Sequence, residues 1–274
     1  MRRLLSLAGL CLALTSHAQS DTTGKGTTSR DTIRVGNLII VKNGKFDKED
    51  SNTVHVYHQH HRRNPSNLTT NWFIFDLGFA NYNDQTNYSS ASAQAFAPGS
   101  NKDWFRLRTG KSVDVNIWVF MQRLNMIKHV VNLKYGLGIE LNNYRYEENI
   151  KFKKNPTEVF MDTINYSKNK LAADYATVPI MLNFNFTPHG RHDFGFSVGA
   201  SVGYKYSSRQ KFKSSVTGKY KTYDDFDMDP WKISYIGELQ LGLLSLYGSF
   251  TTKSMFQKGL DQRPYTIGLR FGNW

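Results

Sequence analysis

The sequence is poor in three things. Cysteine occurs once, at Cys11. That excludes a disulfide framework and a cysteine-based zinc site. Long apolar runs are missing: only 39% of the 274 residues are hydrophobic, and the mean hydropathy is −0.51. A helical membrane protein needs about 20 consecutive apolar residues, so that class is excluded. Acidic residues are few, 22 against 35 Lys plus Arg, giving a net charge of +13. A membrane β-barrel survives these exclusions, because its strands alternate and escape a hydropathy average. What the sequence does have is aromatics (14%) and glycine (21, against 7 proline), a mixture that suggests many strands joined by turns.

The first eighteen residues form an export address. Met1-Arg2-Arg3 is basic, Leu4 to Leu14 is apolar, and Ser16-His17-Ala18 sets small residues at a cleavage site. This is the pattern of a signal peptide over 1–18. Cleavage after Ala18 removes Cys11, Arg2 and Arg3, leaving 33 basic against 22 acidic residues, or +11. The mature chain then has no thiol chemistry.

Residues 19–70 read as a separate, partly disordered periplasmic extension. Within it, Thr32 to Lys42 suggests one short strand or hairpin. His55, His58, His60 and His61 are dense enough to raise metal binding. No carboxylate or cysteine frames them, so a solvated linker is expected.

From residue 71 to 274 the pattern is of strands with one apolar face. Phe73, Phe75, Leu77 and Phe79 alternate with Asp76, Gly78 and Ala80. Val113, Val115, Ile117, Val119 and Met121 alternate with Asp114, Asn116, Trp118 and Gln122. Six more such segments follow, at about 131–141, 178–186, 194–206, 233–241, 244–250 and 265–271. Their connections alternate long (84–110, 148–170, 207–230) and short (123–128, 187–192, 242–243), with a medium one at 254–263. Short inner turns and long outer loops mark an up-and-down membrane barrel. The expected fold is all-β: an eight-stranded antiparallel up-and-down transmembrane β-barrel behind a signal peptide and flexible extension. Localisation in the outer membrane follows, with both chain ends on its inner side.

The alternative is a soluble ligand-binding barrel, whose apolar phase points inward. Against it, the polar phase is small (Gly, Ser, Asn), as a narrow eight-stranded interior requires. The apolar phase carries Tyr and Phe near strand ends, and no charge falls on it. The charges on the polar phase are Asp76, Asp114, Glu140 and Glu238 against Lys134, Lys205 and Arg270. Buried in a narrow lumen they must pair, which predicts a salt-bridge network that plugs the barrel. An unpaired excess of one sign would instead favour a narrow, porin-like channel or transporter.

Asp31-Thr32-Ile33-Arg34-Val35-Gly36, the strand Trp72-Phe73-Ile74-Phe75-Asp76-Leu77-Gly78 and the Val178-Pro179-Ile180 segment together resemble the PorT-like outer-membrane β-barrel group of Bacteroidetes-type bacteria. The resemblance implies a Gram-negative cell-envelope protein, in a group where some members are linked to protein secretion. It also implies that Tyr265, Ile267, Leu269 and Phe271 are the C-terminal signal read by the barrel assembly machinery. Here Gly272-Asn273-Trp274 follows the aromatic.

Catalytic constellations are not expected. His129, His189 and His192 fall at inner turns, away from any acid–base partner at the outer rim. Asp225, Asp227 and Asp229 have calcium-loop spacing, but Pro230 and Ile236 stand where Gly and Glu are needed. The expectation is a non-enzymatic protein without metal or cofactor, and a monomer. Its role would be in envelope integrity, surface binding or assistance to secretion. Its partners would be outer-membrane lipid and lipopolysaccharide, the latter through Arg209, Lys211, Lys213, Lys219 and Lys221. That third long loop could alternatively be a self-pairing hairpin extending strands five and six. No nucleic acid is expected, because the positive charge is dispersed.

Overall fold

The computed structural model describes residues 32–35, 38–41, 56–57, 66–188, 193–242 and 244–272. The signal-peptide segment, the four histidines of 55–61, and His189 and His192 lie outside the described residues. The chain divides into two units, Met1–Arg63 and Asn64–Trp274. In the first, β1 (Thr32–Val35), β2 (Leu38–Val41) and β3 (Val56–Tyr57) form a small antiparallel sheet in that order. Of the two readings of Thr32 to Lys42, one strand or a hairpin, the hairpin is present, with a third short strand.

The second unit is a closed barrel of eight antiparallel strands in chain order. They are β4 (Leu68–Asp84), β5 (Val113–Ile127), β6 (Val131–Arg145), β9 (Lys168–Asn185), β10 (Phe194–Ser214), β12 (Trp231–Leu241), β13 (Leu244–Thr251) and β14 (Gln262–Phe271). Pairing of β14 with β4 joins the last strand to the first and closes the wall. Among the described residues, no helix is long and apolar enough to cross a membrane.

Side chains alternate across each strand because the β repeat is two residues. Phe75, Leu77 and Phe79 of β4 face out, while Ile74, Asp76, Gly78 and Ala80 are buried inside. The same holds at β14, where Ile267 is 59% exposed and Arg270 5%. The apolar phase faces outward all round, the reverse of a soluble ligand-binding barrel. The assignments change toward the end of β5, at Met121 and Gln122. Met121, expected on the outer face, is fully buried in the lumen beside Ile74, Trp118 and Met181. A β-bulge between Trp118 and Phe120 adds one residue to the count and flips the phase of the rest of β5.

Strand lengths are uneven. β10 has 21 residues and β9 has 18, against 8 for β13. About 9–11 tilted residues cross a bilayer, so β9 and β10 rise well past one. Their extension is joined by β11 (Gly218–Tyr223), which pairs along Arg209–Ser214. The self-pairing hairpin expected in the third long loop is thus formed by β10 and β11, and β12 starts only at Trp231. The second long loop holds its own hairpin, β7 (Ile150–Lys153) with β8 (Glu158–Met161). The first holds a short helix, α1 (Ala91–Phe96), capped by the Ser90 hydroxyl.

Candidate functional site: a charged lumen beneath a sealed mouth

The lumen is held by side chains from six strands. Arg270 (β14) is the hub. Its Nε and Nη2 donate to the two oxygens of Asp76 (β4), each at 2.7 Å, and Nη1 donates to Glu238 (β12) at 2.7 Å. Lys134 (β6) Nζ donates to both oxygens of Glu238, at 2.8 and 2.7 Å. Register explains part of this, because Arg270 stands directly opposite Asp76 in the β14–β4 ladder. The Trp118 indole N–H also donates to Asp76 at 2.7 Å. Buried charges are tolerated when such geometry satisfies their lone pairs and protons.

Asp114 is held differently, by neutral donors: the Tyr247 hydroxyl at 2.8 Å and the Asn116 amide at 3.0 Å. Tyr247 fits because Gly78 and Gly268 face each other in the wall beside it. A Cβ on Gly268 would stand 2.4 Å from the Gly78 Cα and 2.7 Å from the Tyr247 ring. The Tyr247 ring in turn lies 5.8 Å from the Arg270 guanidinium, and the Trp118 ring 5.4 Å from it.

Six of the seven charges expected in the lumen are there: Asp76, Asp114, Lys134, Glu140, Glu238 and Arg270, each no more than 6% exposed. Lys205 is the exception. Its Nζ lies at the outer mouth, paired with the Asp225 carboxylate and donating to the Met228 carbonyl at 2.8 Å. It sits at the top of the wall, just before a bulge, where the loop after β11 folds in to meet it. The partner of Glu140 is instead Lys232, at 2.7 Å, with the Asn142 amide oxygen at 3.3 Å. Lys232 was missed because β12 was expected to start at Ile233. Its even-numbered phase, shared with Ser234 and Glu238, was the available signal.

The network borders a cavity of about 20 Å³ lined by Asp76, Asp114, Trp118, Glu238, Tyr247 and Arg270 among others. That is room for about one water. Below it, Asn183 ties Asn132, Ser197 and Gln240 together, and Arg123 pairs with Asp193 at the turn end.

Above it, the mouth is closed by a hydrophobic core that all four outer connections, three long and one medium, supply. Phe96 and Phe105 come from the first, Ile150, Phe152 and Val159 from the second, Phe226 and Met228 from the third, and Met255, Phe256 and Leu260 from the fourth. Phe152 is central, stacked on Phe256 at 5.9 Å and meeting Phe226 edge-on at 5.6 Å. Gly259, with φ +83, lets the fourth loop pass against the Phe96 ring, where any Cβ would collide at 2.4 Å. Backbone bonds lock loops three and four together, Asp229 N–H to Met255 O at 2.9 Å and Gln257 N–H to Asp227 O at 2.8 Å. The three aspartates with calcium-like spacing have separate tasks. Asp225 meets Lys205, Asp227 pairs with Lys258 at 3.0 Å, and Asp229 accepts the Trp231 N–H at 2.9 Å. This apolar lid was also missed, although Phe and Met within long loops are its trace in the sequence.

Tyr265, Ile267, Leu269 and Phe271 project together from the outer face of β14. His129 sits in the β5–β6 turn at φ +59, its ring 3.4 Å from the Asn125 amide.

A closed eight-stranded wall with an apolar outside and a charged inside, whose first strand starts and last strand ends at the short-turn rim, is a membrane β-barrel. Residues 73–256 match the family described as outer membrane protein beta-barrel domain, and the chain belongs to that family. No curated protein matches the chain.

Proposed function

We propose that this is a non-conducting, non-enzymatic outer-membrane barrel that acts through its outer surface. The observation that supports it is the double closure: an ion-paired lumen bordering a cavity of about 20 Å³, beneath an apolar lid built from all four outer connections. The lumenal carboxylates are held by cations, Trp118 and Tyr247, away from any external substrate. On this reading the first eighteen residues direct export, the barrel assembly machinery inserts the chain through the outer face of β14, and the inserted protein is a monomer. Its role is in envelope integrity, surface binding or assistance to secretion. The resemblance to the PorT-like group favours the last of these.

The test is planar-bilayer recording on protein extracted from outer membranes. A heat-modifiable band on SDS gels reports insertion of the folded barrel. Expected is a folded barrel with no stable conductance. A steady conductance overturns the closed-lumen reading and makes the protein a narrow channel. A protein recovered in the soluble fraction, with no heat shift, overturns the membrane reading.

A further inference from the structure

Above the apolar band, the outer face of the wall changes character. On β10 the outward residues run Phe194, Phe196, Val198, Val202 and Tyr204, then Arg209, Lys211 and Lys213 after the bulge at 205–207. Tyr204 packs on Trp231 of the adjacent strand at 5.0 Å, as an aromatic girdle does. The cations begin where that girdle ends.

The ladders assemble those cations into rows. Lys213 of β10 stands opposite Lys168 of β9 on one side and Lys219 of β11 on the other. Lys211 stands opposite Lys170 and Lys221, and Lys170 stands opposite Arg145 of β6. The other faces of β9 and β10 are buried, with Asn169, Leu171, Gln210 and Phe212 against the loops, so these side chains have only the outside to face. Two rows, of three and four cations, result. None of the seven has an ion pair among the described residues. Asp174, on the same phase of β9 as Lys168 and Lys170, is paired with Arg209.

Like charges directly opposite in a sheet destabilise it. Sequence alternation does not require them there, and a neutral outward residue would serve folding better. The strain has a measure at the middle of the grid. Burial of its stem, with Lys168, Lys211, Arg209 and Arg145 around it, brings the Lys170 ammonium down to about 8. At about 4.8 Å between strands and 6.7 Å between rows, the grid spans about 14 Å, wide enough to engage several anionic groups at once. The grid is on the side wall, continuous with the lipid-facing band, so its ligand must lie alongside the barrel. That favours an outer-leaflet lipid over a solute approaching from above.

We propose that the cationic grid of β6, β9, β10 and β11 binds the multiply phosphorylated head group of an outer-leaflet glycolipid. This rests on the outer-membrane reading above but not on the closed lumen. Lysine and arginine meet phosphate by charge-assisted hydrogen bonds, and several phosphates would neutralise the rows that the fold leaves unpaired.

The test uses the full protein extracted in dodecyl maltoside, with native mass spectrometry to measure binding of bisphosphorylated lipid A and its dephosphorylated form. Expected is at least tenfold tighter binding of the phosphorylated lipid. The variant Lys168→Gln/Lys170→Gln/Lys211→Gln/Lys213→Gln should lose that preference while keeping its heat-shifted band. A control variant, Lys102→Gln/Lys253→Gln, removes two cations outside the grid and should keep it. A folded barrel that binds both lipids equally overturns the proposal and leaves the outer-membrane reading standing. So does a grid variant that still discriminates. Binding of inorganic polyphosphate without binding of lipid A overturns the lipid as ligand. Conductance in a barrel that still discriminates overturns only the closed lumen.

Discussion

Replacing Arg270 by Met is the sharpest test of the lumenal network. Arg270 pairs with both oxygens of Asp76, which also accepts from the neutral Trp118 indole at 2.7 Å and the Asn116 amide at 3.4 Å. Asp76 is 1% exposed, so its charge would be left buried without a counterion. Glu238 also loses a hydrogen bond but keeps Lys134 on both oxygens. Removing one partner of a buried pair costs about 3–5 kcal/mol. Lys134→Met is the control, because Glu238 then keeps Arg270 and Asp76 keeps its pair with Arg270. Losing a hydrogen bond to a charged group costs about 1.5–3 kcal/mol, so Lys134→Met should be the milder change. The double variant Asp76→Asn/Arg270→Met should recover most of the loss, since position 76 then carries no charge and Glu238 keeps Lys134. Reversible guanidinium unfolding in micelles, followed by tryptophan fluorescence, measures all three. The reasoning is refuted if Arg270→Met costs under about 1 kcal/mol, or no more than Lys134→Met, or if the double variant is as unstable as the single.

Three further outcomes follow from the packing. Gly268→Ala should destabilise by about 1–3 kcal/mol by overpacking against Gly78 and Tyr247, read in the same titration. Phe152→Ala removes the centre of the lid, where truncation of a buried aromatic costs about 3–5 kcal/mol, and should speed amide hydrogen exchange in 150–161 while bilayer recordings stay closed, because the ion network below is intact. Lys170, with its pKa lowered to about 8, binds fewer protons folded than unfolded between there and the ordinary lysine range. Stability of the lipid-free barrel should therefore rise with pH across that window, and Lys170→Gln should flatten the rise in a pH series of thermal melts.

The membrane wall was legible because alternation is local. A residue's face follows from its parity, and parity is written in the chain. The expected phase held except where a bulge intervenes: after Trp118–Phe120 one added residue turned Met121 inward, and the bulge at Lys205–Ser207 reverses the phase of β10 beyond it. A bulge leaves no fixed trace in the order of polar and apolar residues, so that reversal was not readable. Six of the charged residues of the lumen were readable, because the polar phase carried them, while Lys232 was not. Their partners were not. Whether Glu140 meets Lys205 or Lys232 depends on how far each strand rises and on strands that are distant in sequence.

The sequence by itself determined the class: eight amphipathic segments, turn-and-loop alternation, and charges confined to one phase. Tertiary structure alone decided three things. It chose the ion pairs, since only closure of β14 on β4 brings Arg270 to Asp76. It built the lid, since the apolar residues of four separate loops have a common core only when the barrel holds those loops around one mouth. It made the cationic grid, since Arg145, Lys168, Lys211 and Lys219 are scattered along the chain and become neighbours through register. Each depends on long-range pairing, and a one-residue shift in any ladder would send those side chains to the opposite face.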